Sequence, residues 1–368
     1  IKVEPPSGDP LRYAGPFPGD LPDPERSCLF LYLNTNKRGI TLDLSSAAGA
    51  AAFRRLVQSA DIVVESFAPG TLSGLQIGYE ELKTLNPRLV LTSLTPFGQS
   101  GAYSDYQATH LINCAASGWM YTIGEPDREP LQSGGLLSEY AAGLHGAVGT
   151  LAAYFDAAAT GRGRQVEVST QEALQIVAIY DTTRCSYTGE IPKRSGTHFP
   201  WMIAPCRDGL IGCSILTDGQ WESLCAWVRP EWLTDPRLST ALGRRQHRDE
   251  IEATLLEFFR QRSRDELFYE GQAWRIPVNP VPTVDELLQF EQHRTRGYFV
   301  EVEHPIAGPL IYPGPPFKLS TSPPLLTRPA PLLGQDNGAI LCKELGYRAE
   351  ELSELTGGAS AGTAPSNG

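Results

Sequence analysis

The stretch from Ser138 to Ala159 constrains the fold more than any other part of the chain. Ala141, Ala142, Gly143, Gly146, Ala147, Gly149, Ala152 and Ala153 recur along it. A helix with so little side-chain bulk can lie close against a sheet or a second backbone. Thr160-Gly-Arg-Gly163 closes it, glycine being the usual residue just past a helix end. Glu139 stands at its start, near Gly134 and Gly135 and in apolar company. From the residues alone this acid reads as a surface charge, a cap of the helix start or a nucleophile.

The chain before that helix alternates between short strands and helices. Ile1–Arg12 is a short strand running into a proline and glycine loop, and 13–27 is loop. Cys28–Asn34 is apolar and reads as extended. Lys37–Leu44 alternates like a strand. Ser46–Ala60 repeats apolar residues at helical spacing. Asp61–Ser66 is a strand, Pro69-Gly70 opens a helix, and Tyr79–Leu85 is a helical piece stopped by Asn86-Pro87. Arg88–Thr95 is another strand, ending in the glycine loop Thr95–Gly101. Such alternation predicts an α/β fold, a parallel sheet covered on both faces. Ligands of such sheets bind at the carboxyl ends of strands. Leu111–Met120 reads as a helix, Gly124–Gly135 as a loop, and Gln165–Ser169 as a strand. Ser169-Thr-Gln-Glu172 reads as a capping box opening a helix to about Thr183. From Gly189 short strands, turn signals and charged helices mark a second domain. Trp201, Trp221 and Trp227 are expected in its core. Ala339–Leu345 and Ala349–Leu355 form a closing helical pair, and 356–368 reads as a disordered tail.

Composition narrows the function. The 368 residues carry a net charge of −11, which argues against nucleic acid or an anionic membrane as main partner. No stretch reaches the length of a membrane span, and no basic-then-apolar leader opens the chain. The seven scattered cysteines read as reduced thiols of a cytoplasmic protein. A start at Ile1 without Met reads as a beginning inside a domain. Dinucleotide, Walker and serine-hydrolase signatures are missing: Gly161-Arg-Gly163 precedes a strand, and Gly98-Gln-Ser-Gly-Ala102 ends on alanine. The histidines and cysteines do not cluster, so no metal site is expected.

Several ordered segments carry a resemblance: Ile1–Arg12, Asn34–Leu44, Asp61–Gly70, Asn86–Val90, Phe97–Gly101, Thr160–Gln165 and Pro331–Gln335. Together they make the chain similar to the class III coenzyme A transferases of CaiB/BaiF type. That family also holds carnitine CoA-transferase, formyl-CoA transferase and α-methylacyl-CoA racemase. The resemblance implies a Rossmann-like large domain built from 1–188 and 306–355, with a small α+β domain, 189–305, inserted between them. It also implies an interlocked homodimer. Coenzyme A would enter as the thioester substrate, not as a permanently bound cofactor, and the partners are an acyl-CoA and a small carboxylic acid. The family's first strand and a CoA-contacting loop lie upstream of Ile1.

The resemblance places the family's catalytic aspartate on Glu139, with one more methylene in this chain. As a transferase, Glu139 attacks the thioester to give a mixed anhydride. The thiolate then attacks the glutamyl carbonyl, and an acceptor acid takes the CoA by the reverse steps. His110 is a second catalytic candidate. The racemases pair a histidine with an aspartate, but an alignment anchored on Ala115–Gly118 puts their histidine on Thr109. One residue turns a helical side chain by about 100°, so racemisation by His110 and Glu139 is the alternative reading. A non-catalytic CoA-binding subunit is the third. Arg12, Asn34, Lys37 and Arg38 are the phosphate-binding candidates, and each reads equally as polar surface. Phe67, Gly70 and Leu72, with Phe97 in the glycine loop, are candidates for the adenine and pantetheine.

Overall fold

Strand β4 (Val90–Thr95) is buried almost throughout and forms the spine of the first compact unit. The computed structural model describes residues 1–177, 181–194, 196–231, 234–322 and 325–357. Among these, the first unit takes in Ile1–Ser117, the stretch from Gly134 to 177, and everything from Glu291 onward. The second takes in Gly118–Ser133 and the described residues from 181 to Phe290.

In the first unit β1 (Lys2–Glu4) pairs in parallel with β2 (Gly39–Thr41). A second ladder runs β3 (Ile62–Glu65), β4, β5 (Arg164–Ser169), also parallel throughout. Helices cover both faces of this ladder, as parallel sheets require. On one face Leu89 and Leu91 join Ile40, Leu42, Ala52, Phe53, Leu82 and Ile340 in a single core. On the other, Val90 packs against Ala153 and Ala157. That alternation is the pleat of β4 read out as burial.

The small-residue helix spans Leu137–Thr160 and lies directly on β4 and β5. A Cβ on Gly146 would sit 3.0 Å from Leu94 Cδ2, and one on Gly149 3.0 Å from Val166 Cγ1. Thr150 Oγ1 and Thr92 Oγ1 are 2.6 Å apart, a hydroxyl contact that the close approach allows. Gly161 ends the helix at φ +73°, its N–H donating to the Ala157 carbonyl at 2.9 Å.

Two local expectations need correction, and a third falls partly outside the described residues. Cys28–Leu33 is a helix, α1, not an extended segment. Ser27 Oγ accepts from the Phe30 N–H at 3.2 Å and caps it. A short apolar run has no periodicity that separates strand from helix. The predicted helix Leu111–Met120 is two pieces, α2 (His110–Ala116) and Trp119–Thr122, parted by Gly118 at φ +79°. The helix from Ser169 is described over Thr170–Val177, and another runs Asp181–Thr188; 178–180 lie outside the described residues.

The expected domain limits also move. Return to the first unit comes at Glu291 instead of 306. The reason is the antiparallel hairpin of β9 (Phe299–His304) and β10 (Gly308–Pro313), whose Val302 and Tyr312 pack on Phe30 and Leu31 of α1. Gly118–Ser133 joins the second unit, where Arg194 donates to the carbonyls of Tyr121, Glu125 and Arg128. Thr356 is buried and donates to the Leu352 carbonyl, so the chain is still anchored there. The rest of the expected tail, 358–368, lies outside the described residues.

The second unit is built on an antiparallel sheet, β6 (Trp201–Cys206), β7 (Gly209–Ser214) and β8 (Val278–Pro280). Its core holds Trp221 and Trp227 with Ile211, Leu224, Leu255 and Phe259. Trp201, expected in the same core, is instead 53% exposed on β6.

Candidate active site

At the carboxyl end of β4 the chain enters the loop Pro96–Gly101. Gly98 and Gly101 have φ of +88° and +100°, a region where other residues are strained. Beyond it α2 begins at His110, and the long helix begins at Leu137 after Gly134 and Gly135. The two helix starts bring three side chains together. His110 Nδ1 is 2.8 Å from Ser138 Oγ and 3.0 Å from Glu139 Oε2, and Ser138 Oγ–H donates to Glu139 Oε2 at 2.8 Å. One turn further along α2, Cys114 Sγ lies 3.6 Å from His110 Nε2.

Burial differs sharply within this group. Ser138 and Cys114 are fully enclosed, the His110 side chain is 11% exposed, and that of Glu139 is 45% exposed. Glu139 is therefore neither a pure surface charge nor a cap. Its carboxylate is held by side chains from two helices and still faces solvent. An ionised carboxylate only accepts hydrogen bonds, so the 3.0 Å contact requires a proton on His110 Nδ1. The helix start adds the favourable end of the helix dipole to the negative charge. Nearby, Thr95 Oγ1, Gln99 Nε2 and Asn113 Oδ1 are buried without a partner among the described residues.

The nucleotide-binding candidates divide. Arg12 does not lie at the surface: it is fully buried, bonded to both oxygens of Glu4 at 2.7 and 2.8 Å, to Glu25 at 2.7 Å and to the Pro331 carbonyl at 3.0 Å. No face of its guanidinium is open to a phosphate. Asn34 is buried as well, donating to the Phe30 carbonyl and accepting from Lys37 Nζ, both at 2.9 Å. Leu72 packs in the core. Lys37 reaches the surface, and lost hydration together with the nearby Lys2 charge holds its ammonium below the usual lysine range. Arg38 is ion-paired with Glu344, which raises its pKa, and remains 40% exposed. Phe67 is exposed, and Gly70 has φ +81° with open space where a Cβ would stand. Phe97 meets Tyr103 edge-on at 5.9 Å.

Ser138 and Cys114 are the members of the group that sequence reasoning missed. Cys114 had a signal, its i+4 spacing from His110 on a helix. Ser138 had only its place beside Glu139. Among the described residues no group of histidine, cysteine, aspartate and glutamate could hold a metal ion, and no helix is long and apolar enough to cross a membrane.

Comparison with known proteins adds a family to this geometry. The model of CoA-transferase family III matches residues 1–337. The chain is 32% identical to the succinyl-CoA:(R)-benzylsuccinate CoA-transferase subunit BbsE of Thauera aromatica, over 96% of this chain and 90% of that one. It is also 32% identical to the formyl-CoA:oxalate CoA-transferase of Escherichia coli O6:H1, over 96% and 91%. A CAIB/BAIF family protein from Brucella suis superposes with a TM-score of 0.82 at 29% identity, covering 93% of this chain and 91% of that one. Rv3272 from Mycobacterium tuberculosis shares the fold with a TM-score of 0.79 at 24% identity, over 92% and 90%. The chain belongs to CoA-transferase family III.

Proposed function

We propose that the protein moves coenzyme A between an acyl-CoA thioester and a carboxylic acid, with Glu139 as the covalent nucleophile. The observation that carries this reading is the half-exposed Glu139 carboxylate held by Ser138 and His110 at the start of a rigidly seated helix. The carboxylate attacks the thioester carbonyl and expels the thiolate, leaving a mixed anhydride. The thiolate attacks the glutamyl carbonyl and releases the first acid. An acceptor carboxylate then displaces CoA from the glutamyl thioester, and the thiolate attacks the new anhydride to give the product. This chemistry needs no resident cofactor, since the thioester itself is the activated group. Lys37, Arg38, Phe67, Gly70 and Phe97 are the CoA-contacting residues in this reading; Arg12, Asn34 and Leu72 support them from below.

Racemisation fits the geometry less well. Acid and base on opposite faces of a carbon, each about 3 Å from it, stand roughly 6 Å apart. His110 Nδ1 and Glu139 Oε2 are 3.0 Å apart, in direct contact. A homodimer completes the reading. The outer face of the long helix carries Leu144, Val148, Leu151 and Phe155, each at least half exposed, at helical spacing. An interlocked partner covering this stripe, with the second unit as an inserted domain, accounts for that apolar surface, and the cytoplasm supplies the CoA.

The test is incubation with formyl-CoA and oxalate, and with succinyl-CoA and succinate, the acyl donors named for the two relatives. CoA exchange accompanied by a CoA adduct on the Glu139 peptide, seen by mass spectrometry, is the expected result. Deuterium entry at an α-carbon without exchange would replace this reading with the racemase. CoA binding with neither would make the chain a non-catalytic subunit.

A further inference from the structure

Resting on the transferase reading, we propose that Ser138 and His110 form an oxyanion site for the enzyme's own acyl group. They pin Glu139 Oε2, so that Oε1 alone enters and leaves the chemistry. Both donors converge on one oxygen: Ser138 Oγ–H at 2.8 Å and His110 Nδ1–H at 3.0 Å. The serine has a single proton, and it is given to Oε2. Its 2.8 Å contact with Nδ1 is therefore one in which the imidazole N–H is shared between Ser138 Oγ and Oε2. Ser138 is fully buried and His110 nearly so, which keeps water from exchanging with either donor. Glu139 Oε1 has no partner among the described residues.

The consequence follows atom by atom. Oε1 attacks the substrate carbonyl and becomes the bridging oxygen of the anhydride, while Oε2 becomes the glutamyl carbonyl oxygen. When the thiolate attacks Cδ of Glu139, an electron pair moves onto Oε2, where the two donors already stand. The pair returns, the Cδ–Oε1 bond breaks, and Oε1 departs in the product carboxylate. The acceptor's oxygen then attacks Cδ of the thioester and the thiolate leaves, giving a new anhydride. The thiolate attacks the acceptor's carbonyl carbon, the bond from that carbon to the bridging oxygen breaks, and that oxygen stays on Glu139 as the new Oε1. Donors preset at the point where charge develops need no reorganisation during the step. The same tether holds the longer glutamate side chain in one orientation, where a loss of about 1 Å in placement costs about 100-fold.

Acceptor carboxylate labelled with oxygen-18 reads this directly. After many turnovers with labelled oxalate or succinate, whichever pair exchanges CoA, the Glu139 peptide of the native protein is expected to carry one labelled oxygen and never two. Ser138→Ala and His110→Ala free the carboxylate to rotate. Each is expected to admit the second label and to lower kcat about 100-fold. His110→Asn keeps an N–H near the Nδ1 position and is expected to restore single labelling. Two labels in the native protein, or one label persisting in both alanine variants, would overturn the inference while leaving the nucleophile in place. CoA exchange with no label on Glu139 would instead overturn the transferase role of Glu139. The native count alone decides the question even where a variant fails to fold.

Discussion

Two clusters of the first unit in which a carboxylate meets a nitrogen base, one around Arg12 and one around Glu139, are built in opposite ways. Around Arg12 the guanidinium is enclosed and its bonds are filled: Glu4 takes two, Glu25 one, the Pro331 carbonyl one, and the Phe30 ring centroid lies 3.8 Å from the guanidinium carbon. Around Glu139 the donors are buried, but the acceptor is left half open to solvent. A saturated, sealed charge pair has no valence left for a substrate, and it ties together chain segments far apart in sequence. An acid held on one oxygen only keeps the other for chemistry. On the proposed reading the same residue types serve structure in one place and reaction in the other, and what separates them is how many hydrogen-bonding positions the fold leaves unfilled.

The largest expected effect breaks the open cluster. Glu139→Gln removes the proposed nucleophile, so CoA exchange is expected to fall by at least about 10⁴-fold. Its stability should stay within about 0.5 kcal/mol of the parent, because the side chain is half exposed. An exchange assay beside a urea titration checks both; retained exchange would end the nucleophile assignment. Next comes the sealed cluster. Arg12→Met leaves Glu4 buried and uncompensated, a change expected to cost about 3–5 kcal/mol. Any folded enzyme should keep its apparent affinity for CoA. A stable variant with a raised KM for acyl-CoA would reverse the contrast and return Arg12 to the binding site.

The third effect concerns pH and lies beside the sealed cluster. His304 is buried, and its Nδ1 accepts from the N–H groups of Ile306 at 3.3 Å and Ala307 at 3.1 Å. Burial, with the nearby Arg12 charge, pulls its pKa down to about 4 from 6.5. The unfolded chain therefore takes up a proton near pH 6.5 that the native state refuses until about pH 4. Unfolding binds protons in that window, so stability is expected to fall as pH drops through it, by roughly 2–3 kcal/mol. His304→Asn, which keeps an acceptor and does not titrate, should flatten that part of the curve. Denaturant midpoints measured from pH 7 to 4 decide it; parallel curves for parent and variant would count against a buried neutral imidazole.

Much of the first unit was legible from local pattern. The strands from Ile62, Val90 and Arg164 and the helix from Leu137 fall where periodicity and terminating residues put them, because each signal is carried by neighbours in sequence. The capped helix at Cys28 was misread, since six apolar residues suit a strand or a helix until their packing partner is known. That partner, the hairpin at Phe299–Pro313, lies far along the chain. The burial of Arg12 was hidden for the same reason: Glu4 is near in sequence, but the Pro331 carbonyl that completes its cage is not.

By itself the sequence determined the alternation of strands and helices, the close-lying small-residue helix and the family likeness, and it proposed the two candidate site residues Glu139 and His110. These rest on composition and spacing, which are local. Only the tertiary structure decided that Ser138 faces the same carboxylate oxygen as His110, that Cys114 backs the imidazole, and that Arg12 is sealed away. Those facts depend on which buried groups meet across two helix starts or across the whole chain. Hydrogen-bond saturation is set by that meeting, and no residue's own neighbours in sequence specify it.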